Sequence, residues 1–133
     1  QLTNIARDVV EDNKRNRNYI NSNFETIKGT LKLADKFYES SFKSINEISL
    51  NNRFAILVAR RVYRQIGNKI LTKKNIENYS ISGKIYVTNF GKINQTFLSF
   101  FDLIKLKFTK SNNHLTENEH IMIGKEINLD ERI

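Results

Sequence analysis

The chain has 133 residues, with 39% hydrophobic and 27% charged side chains, the profile of a globular domain and not of a disordered segment. It contains no cysteine and no proline or tryptophan, which excludes disulfides, thiolate metal sites and cysteine nucleophiles. The net charge of +8 invites a nucleic-acid reading, but basic residues are spread over every segment with no aromatic-interleaved strand pattern that could stack bases. Nucleic acid is therefore not an expected partner. The crowding of Lys, Asn and Ile is what an AT-rich genome imposes on surface positions.

No apolar run approaches the ~18 residues of a membrane span, and no signal peptide opens the chain. Met122 is its only methionine, and the helical pattern begins at Gln1 itself. The expectation is the back portion of a longer protein, cytoplasmic, with the missing N-terminal half of that protein as its first partner.

The opening stretch carries the chemistry. At about 100° per residue, Asn4, Asp8 and Asp12 fall on one stripe of a helix, with Gln1, Glu11 and Arg15 beside it. Leu2, Ile5, Ala6 and Val9 form the opposite, core-facing side. Like charges four apart cost about 0.2–0.5 kcal/mol per pair, so Asp8, Glu11 and Asp12 need a neutralising partner. The basic run Lys14, Arg15 and Arg17 is one candidate, and a divalent cation such as Mg²⁺, which favours carboxylate and phosphate oxygens, is another. Read blandly, such a stripe is a solvated face.

After a polar loop at Asn21 to Asn23, which offers N-caps, a second helix is expected from about Phe24 to Ile45. Its stripe is Ile27, Leu31, Ala34, Tyr38, Phe42 and Ile45, widened by Phe37. Asp35 and Glu39, surrounded by Lys32, Lys36 and Lys43, read as an ordinary salt-laced surface. Asn51 and Asn52 break the pattern and can cap a third helix over Arg53 to Leu71. Ala55, Ile56, Ala59, Val62, Tyr63, Ile66 and Ile70 are its expected buried face, and Arg53, Arg60, Arg61 and Arg64 its solvated one. Taken alone, Tyr63 is a packed core tyrosine with its hydroxyl satisfied.

Residues 72–83 read as polar and turn-rich, with Gly83 the clearest breaker, and residues 84–87 as an extended linker in which Lys84 is a surface lysine. A last helix is expected over Lys92 to Lys107, with the stripe Ile93, Phe97, Phe100, Phe101, Ile104 and Phe108. Such a stripe is ordinarily core. The lysines around it, Lys92, Lys105, Lys107 and Lys110, also suit peripheral contact with anionic lipid at the inner face of a membrane. The division expected is a helical portion over 1–110 and a polar tail over 111–133, whose His114 and His120 are badly spaced for a shared metal. No phosphate-binding glycine loop or nucleophile elbow is present.

Gln1, Leu2, Thr3, Asn4, Ile5, Arg7, Asp8, Val9, Glu11 and Asp12, followed by Arg17 and Tyr19, together resemble the second aspartate-rich motif of the squalene/phytoene synthase family. The segment Ala59 to Gly67 is similar to a helix of that family, and Tyr79 and Lys84 match its tyrosine and an arginine of a later segment. The resemblance covers about Gln1 to Lys107. It implies an all-α fold, the C-terminal part of an isoprenoid-synthase helical bundle. It further implies a Mg²⁺-dependent transferase (Mn²⁺ the substitute ion) that joins two prenyl diphosphates head to head. Bacterial phytoene synthases, using geranylgeranyl diphosphate, match best, and squalene, hydroxysqualene or dehydrosqualene synthases, using farnesyl diphosphate, are the alternative.

By this resemblance Asn4, Asp8 and Asp12 are metal ligands, with Asp8, Asp12, Arg7 and Tyr19 catalytic. Gln1, Asn4, Arg17, Tyr63 and Lys84 bind substrate. Three departures stand out. The first aspartate-rich motif is absent, which implies no activity for the fragment alone. The stretch after Tyr19 is shorter by roughly twenty residues on an unaided comparison. The linker around 72–78 is longer, and Lys84 replaces an arginine, keeping charge but losing the bidentate fork. A non-catalytic relative serving as an assembly scaffold is the remaining reading.

Overall fold

A computed structural model describes residues 1–109, and among them only helices and connecting segments occur. The chain is all-α, as the periodicity predicts. Five α-helices follow one another: α1 (Leu2–Lys14), α2 (Phe24–Ser44), α3 (Leu50–Leu71), α4 (Ile76–Ile81) and α5 (Asn89–Lys107). A single 3-10 turn, Ile45–Glu47, prolongs α2. The tail with its two histidines lies outside the described residues.

Local chemistry explains most of the boundaries. At the end of α1 the Asp12 carbonyl accepts the N–H groups of Arg15 and Arg17, both at 2.9 Å. Asn16 takes a left-handed φ of 57°, a conformation Asn tolerates better than most residues. Asn23, Asn75 and Thr88 cap α2, α4 and α5, each accepting a backbone N–H from three residues on, the usual way to satisfy an otherwise orphaned helix donor.

Two expectations about boundaries are corrected. Helix α3 begins at Leu50 after Ser49, so Asn51 and Asn52 lie inside its first turn and do not cap it. Arg53 then reaches back to the carbonyls of Asn46 and Ile48 at 2.7 and 3.0 Å, tying off the end of the preceding turn. Residues 72–83 are not all turn either. They hold α4, too short for a helical period to show, and Gly83 ends that segment with a φ of 63°.

The main core gathers Ile5, Ala6 and Val9 of α1, Phe24, Ile27 and Leu31 of α2, and Ile66 and Ile70 of α3. Ile20 of the loop, Tyr79 of α4, and Ile85 and Val87 of the linker close it. The linker is extended as expected, its buried Ile85 and Val87 alternating with exposed Tyr86, the period of extended backbone. A methyl group at Gly91 would lie 2.8 Å from Val87 Cγ1, so only glycine lets α5 start this close to the linker. A second, small cluster joins Ile45, Leu57 and Leu106.

The apolar faces of α3 and α5 depart from expectation. Ala55, Ile56 and Ala59 are exposed, and Leu57 is buried in their stead. Along α5 the buried residues are Ser99, Asp102 and Leu106, whereas Ile93, Phe97, Phe100, Phe101, Ile104 and Phe108 are all more than half exposed. The cause lies on α3. Arg61 grips Asp102 through Nε and Nη2 at 2.5 and 2.8 Å, and this bidentate pair turns the polar side of α5 inward. Arg60, Arg61 and Arg64 are accordingly not solvated but largely covered.

Candidate functional site

Helix α1 is held on three sides, and each contact fixes the acidic stripe. Its apolar side packs into the main core, and Thr3 and Tyr38 share a hydrogen bond of 2.9 Å that ties it to α2. From α4 the buried Tyr79 hydroxyl donates to the carbonyls of Ala6 at 3.0 Å and of Arg7. Burial, and the negative charge of Asp8 nearby, push that hydroxyl's pKa upward, so it stays a proton donor at any physiological pH.

Asp8 is the centre of the exposed side. Arg7 donates to both its carboxylate oxygens at 2.9 Å, and Lys84 Nζ approaches Oδ1 at 3.1 Å. Lys84 also reaches Glu11 at 3.2 Å, and Arg15 pairs with the other Glu11 oxygen at 2.8 Å. The hydrogen bonds from Arg7, and then from Lys84, hold the Asp8 carboxyl below the usual carboxylate range. A depressed carboxylate stabilises the fold above its unfolded-state pKa, and that contribution is lost as pH falls through the folded-state value. Lys84 shifts upward for the complementary reason. The charge cost of Asp8 and Glu11 is thus met by cations from α1 and from the linker.

Asn4 contributes a different signal. Its Oδ1 is buried without a hydrogen-bond partner, a state that ordinarily costs about 1–3 kcal/mol. Among the described residues no three His, Cys, Asp or Glu side chains are grouped to hold a metal by themselves. What α1 offers is two carboxylates and an orphaned amide oxygen in register four residues apart. That donor set suits a hard cation completing its shell with phosphate oxygens and water.

Two hollows meet at Arg7. The smaller, about 220 Å³, is bounded by Arg7, Glu11, Lys14, Tyr79 and Lys84. The larger is an open groove of about 630 Å³ along α3, walled by Phe54, Val58, Val62, Tyr63, Ile66 and Tyr86. Ala55 and Ala59, the alanines expected in the core, floor this groove. Among the expected site residues, then, Arg7, Asp8 and Lys84 are in direct contact, Asn4 and Asp12 share their helix stripe, and Tyr63 lines the adjoining groove. Gln1 and Arg17 are exposed, Tyr19 packs against the main core, and none of the three lines either hollow. Phe54, Val58 and Tyr86 were not anticipated. The four-residue recurrence Phe54, Val58, Val62 was the signal for the first two.

Comparison with known proteins finds one similarity. The chain is 29% identical over 92 residues to a 15-cis-phytoene synthase from Enterobacter agglomerans, a match covering 53% of this chain and 31% of that protein. The chain therefore spans about a third of the length of this relative. No family model and no solved structure matches. No helix among the described residues is long and apolar enough to cross a membrane. At most, the similarity suggests a relationship of the phytoene/squalene synthase kind, with a prenyl transferase type of enzyme behind it.

Proposed function

We propose that this chain supplies the second acidic half of a diphosphate site in a head-to-head prenyltransferase, one that condenses two geranylgeranyl diphosphates to phytoene. One observation carries the reading: Arg7 borders both the charged hollow beside Asp8 and Glu11 and the apolar groove of α3. A prenyl diphosphate calls for that juxtaposition, cationic side chains for the head beside an apolar trough for the tail.

In this reading Asn4, Asp8 and Asp12 hold Mg²⁺, which when bound serves as the Lewis acid for the leaving diphosphate. Arg7 and Lys84 donate hydrogen bonds to the diphosphate as its allylic C–O bond breaks and the bonding pair goes to oxygen. Arg7 and Lys84 both hold Asp8 in this structure, so Asp8 would be released to a cation only as both turn to the phosphate. Phe54, Val58, Val62 and Tyr63 line the prenyl chain and keep water from the carbocation until the second chain attacks it.

The test is an assay of the intact gene product with geranylgeranyl diphosphate and Mg²⁺, following phytoene and released diphosphate. Asp8→Ala and Asp12→Ala should each lower turnover by at least about a hundredfold. Unchanged turnover in both variants would reject the assignment. A product formed only from farnesyl diphosphate would move it to the squalene-type branch. The saturation of Asp8 by Arg7 and Lys84 favours a second reading, a non-catalytic scaffold whose acidic stripe is balanced by the chain's own cations. That reading predicts no turnover from either substrate and no effect of Mg²⁺ on thermal stability.

A further inference from the structure

On the side of α3 turned toward α5 lies a cavity of about 470 Å³ unrelated to the acidic stripe of α1. Its walls hold Arg60, Arg61, Arg64 and Lys105, together with the amides of Gln65, Asn68 and Gln95. Among the described residues, Asp102 is the only carboxylate lining it, and Phe42 the only apolar residue.

The charges do not cancel within the cavity. Arg64 faces away to α2, where Asp35 takes it bidentately at 2.6 and 2.8 Å and Glu39 adds a contact at 3.3 Å. The sequence places those two carboxylates on a salt-laced surface among Lys32, Lys36 and Lys43; the partner that they have is Arg64 of α3. Asp102 is committed to Arg61 at 2.5 Å and stands 3.9 Å from Arg60. Arg60 gives its Nε to the Tyr38 carbonyl, and its guanidinium lies 4.8 Å from the Phe42 ring. Lys105 is 5.9 Å from that same ring. Arg60 and Arg61 thus share one carboxylate, and Arg60 and Lys105 both approach the Phe42 ring. Burial, and after it the neighbouring guanidinium of Arg64, lower the Arg60 pKa.

We infer that this cavity is an anion site for a phosphate group, with Arg60 and Lys105 as its charged donors and Asn68 and Gln95 as neutral ones. Arginine in a half-buried setting binds phosphate through paired, charge-assisted N–H groups. The phosphate is either free or the head of a phospholipid. The exposed Phe101 and Ile104, neighbours of Lys105 on α5, give acyl chains a surface in the second case. The inference is independent of the prenyltransferase reading, because it shares no residue with that site.

Titration of the intact protein with inorganic phosphate, and co-sedimentation with vesicles of anionic phospholipid or phosphatidylcholine alone, tests it. Arg60→Gln and Lys105→Gln should each weaken the interaction about tenfold, while Lys74→Gln, which removes the same charge from an exposed site elsewhere, should leave it unchanged. Saturable binding of inorganic phosphate identifies a free-phosphate site. Binding only to anionic vesicles, lost in the two cavity variants, identifies a lipid headgroup. Equal weakening by Lys74→Gln would overturn the site in favour of net charge alone, and no binding to either probe would overturn it outright. Helicity by circular dichroism guards the Arg60 variant. Should it unfold, exposed Lys105, whose one side-chain interaction among the described residues is with the Phe42 ring, decides the matter.

Discussion

Two regions of this molecule pack by opposite rules. Around α1 the apolar residues are inside: Ala6 and Ile27 have no exposure, and the buried hydroxyls of Thr3, Thr30 and Tyr79 all have hydrogen-bond partners. At the α3–α5 seam Ser99 is fully buried and Asp102 is 8% exposed, while Phe97 and Phe101 are 61% and 57% exposed. The first region is held by volume and contact, the second by an ion pair beside a small apolar cluster. The difference decides what each can present. A closed apolar core fixes the acidic stripe of α1 rigidly from behind. An ion-paired seam leaves a row of aromatic side chains outward and gathers cations inward.

The largest expected effect falls on the seam. Asp102→Ala strips Arg61, and the more distant Arg60, of their carboxylate in a largely covered position and should cost about 3–5 kcal/mol. Replacing both partners, as in Arg61→Met with Asp102→Leu, should restore most of that loss, because an apolar pair carries no desolvation penalty. Urea denaturation of the three proteins measures it. A loss under about 1 kcal/mol for Asp102→Ala would mean that packing, and not charge, sets the register of α5.

These two regions also differ in how far they could be read from residues alone. The α1 stripe, the α2 face through Ile27, Leu31 and Ala34, and the extended linker all follow from local periodicity, since a strong apolar stripe there does face the core. Periodicity misled on α5 because it reports that a helix has an apolar side, not which side meets a neighbour. The deciding contact, Arg61 with Asp102, joins residues forty-one apart in sequence and leaves no local trace. The same limit hid the partner of Asp35, which is Arg64. Of the candidate site, the residues on one helix were legible from spacing. Lys84 came only through the resemblance; the recurrence of Phe54, Val58 and Val62 was a local signal for two groove walls, whereas Tyr86 joins them only because the linker lies along α3.

A smaller effect is expected at Tyr79, where the closed region meets the candidate site. Tyr79→Phe keeps the ring in the core and removes only the hydroxyl that joins α4 to the carbonyls of Ala6 and Arg7. The expected cost is about 1 kcal/mol, with faster amide exchange in the middle of α1. Unaltered exchange there would show that the apolar contacts alone hold the acidic stripe in place.

The smallest effect should come from the most hydrophobic-looking position of all. Phe101→Ser removes a large aromatic side chain that, buried, would cost about 3–5 kcal/mol on truncation. Here the ring is more than half exposed, and among the described residues its one ring contact is an edge-on approach to Phe97 at 5.7 Å. Surface substitutions free of buried contacts stay within about 0.5 kcal/mol, so Phe101→Ser should move Tm by no more than about 3 °C. Solubility should rise, because an exposed apolar patch is a site of association. A destabilisation of about 2 kcal/mol or more would mean that the stripe of α5 is covered in solution, and the contrast between a closed region and an open one would fail at that point.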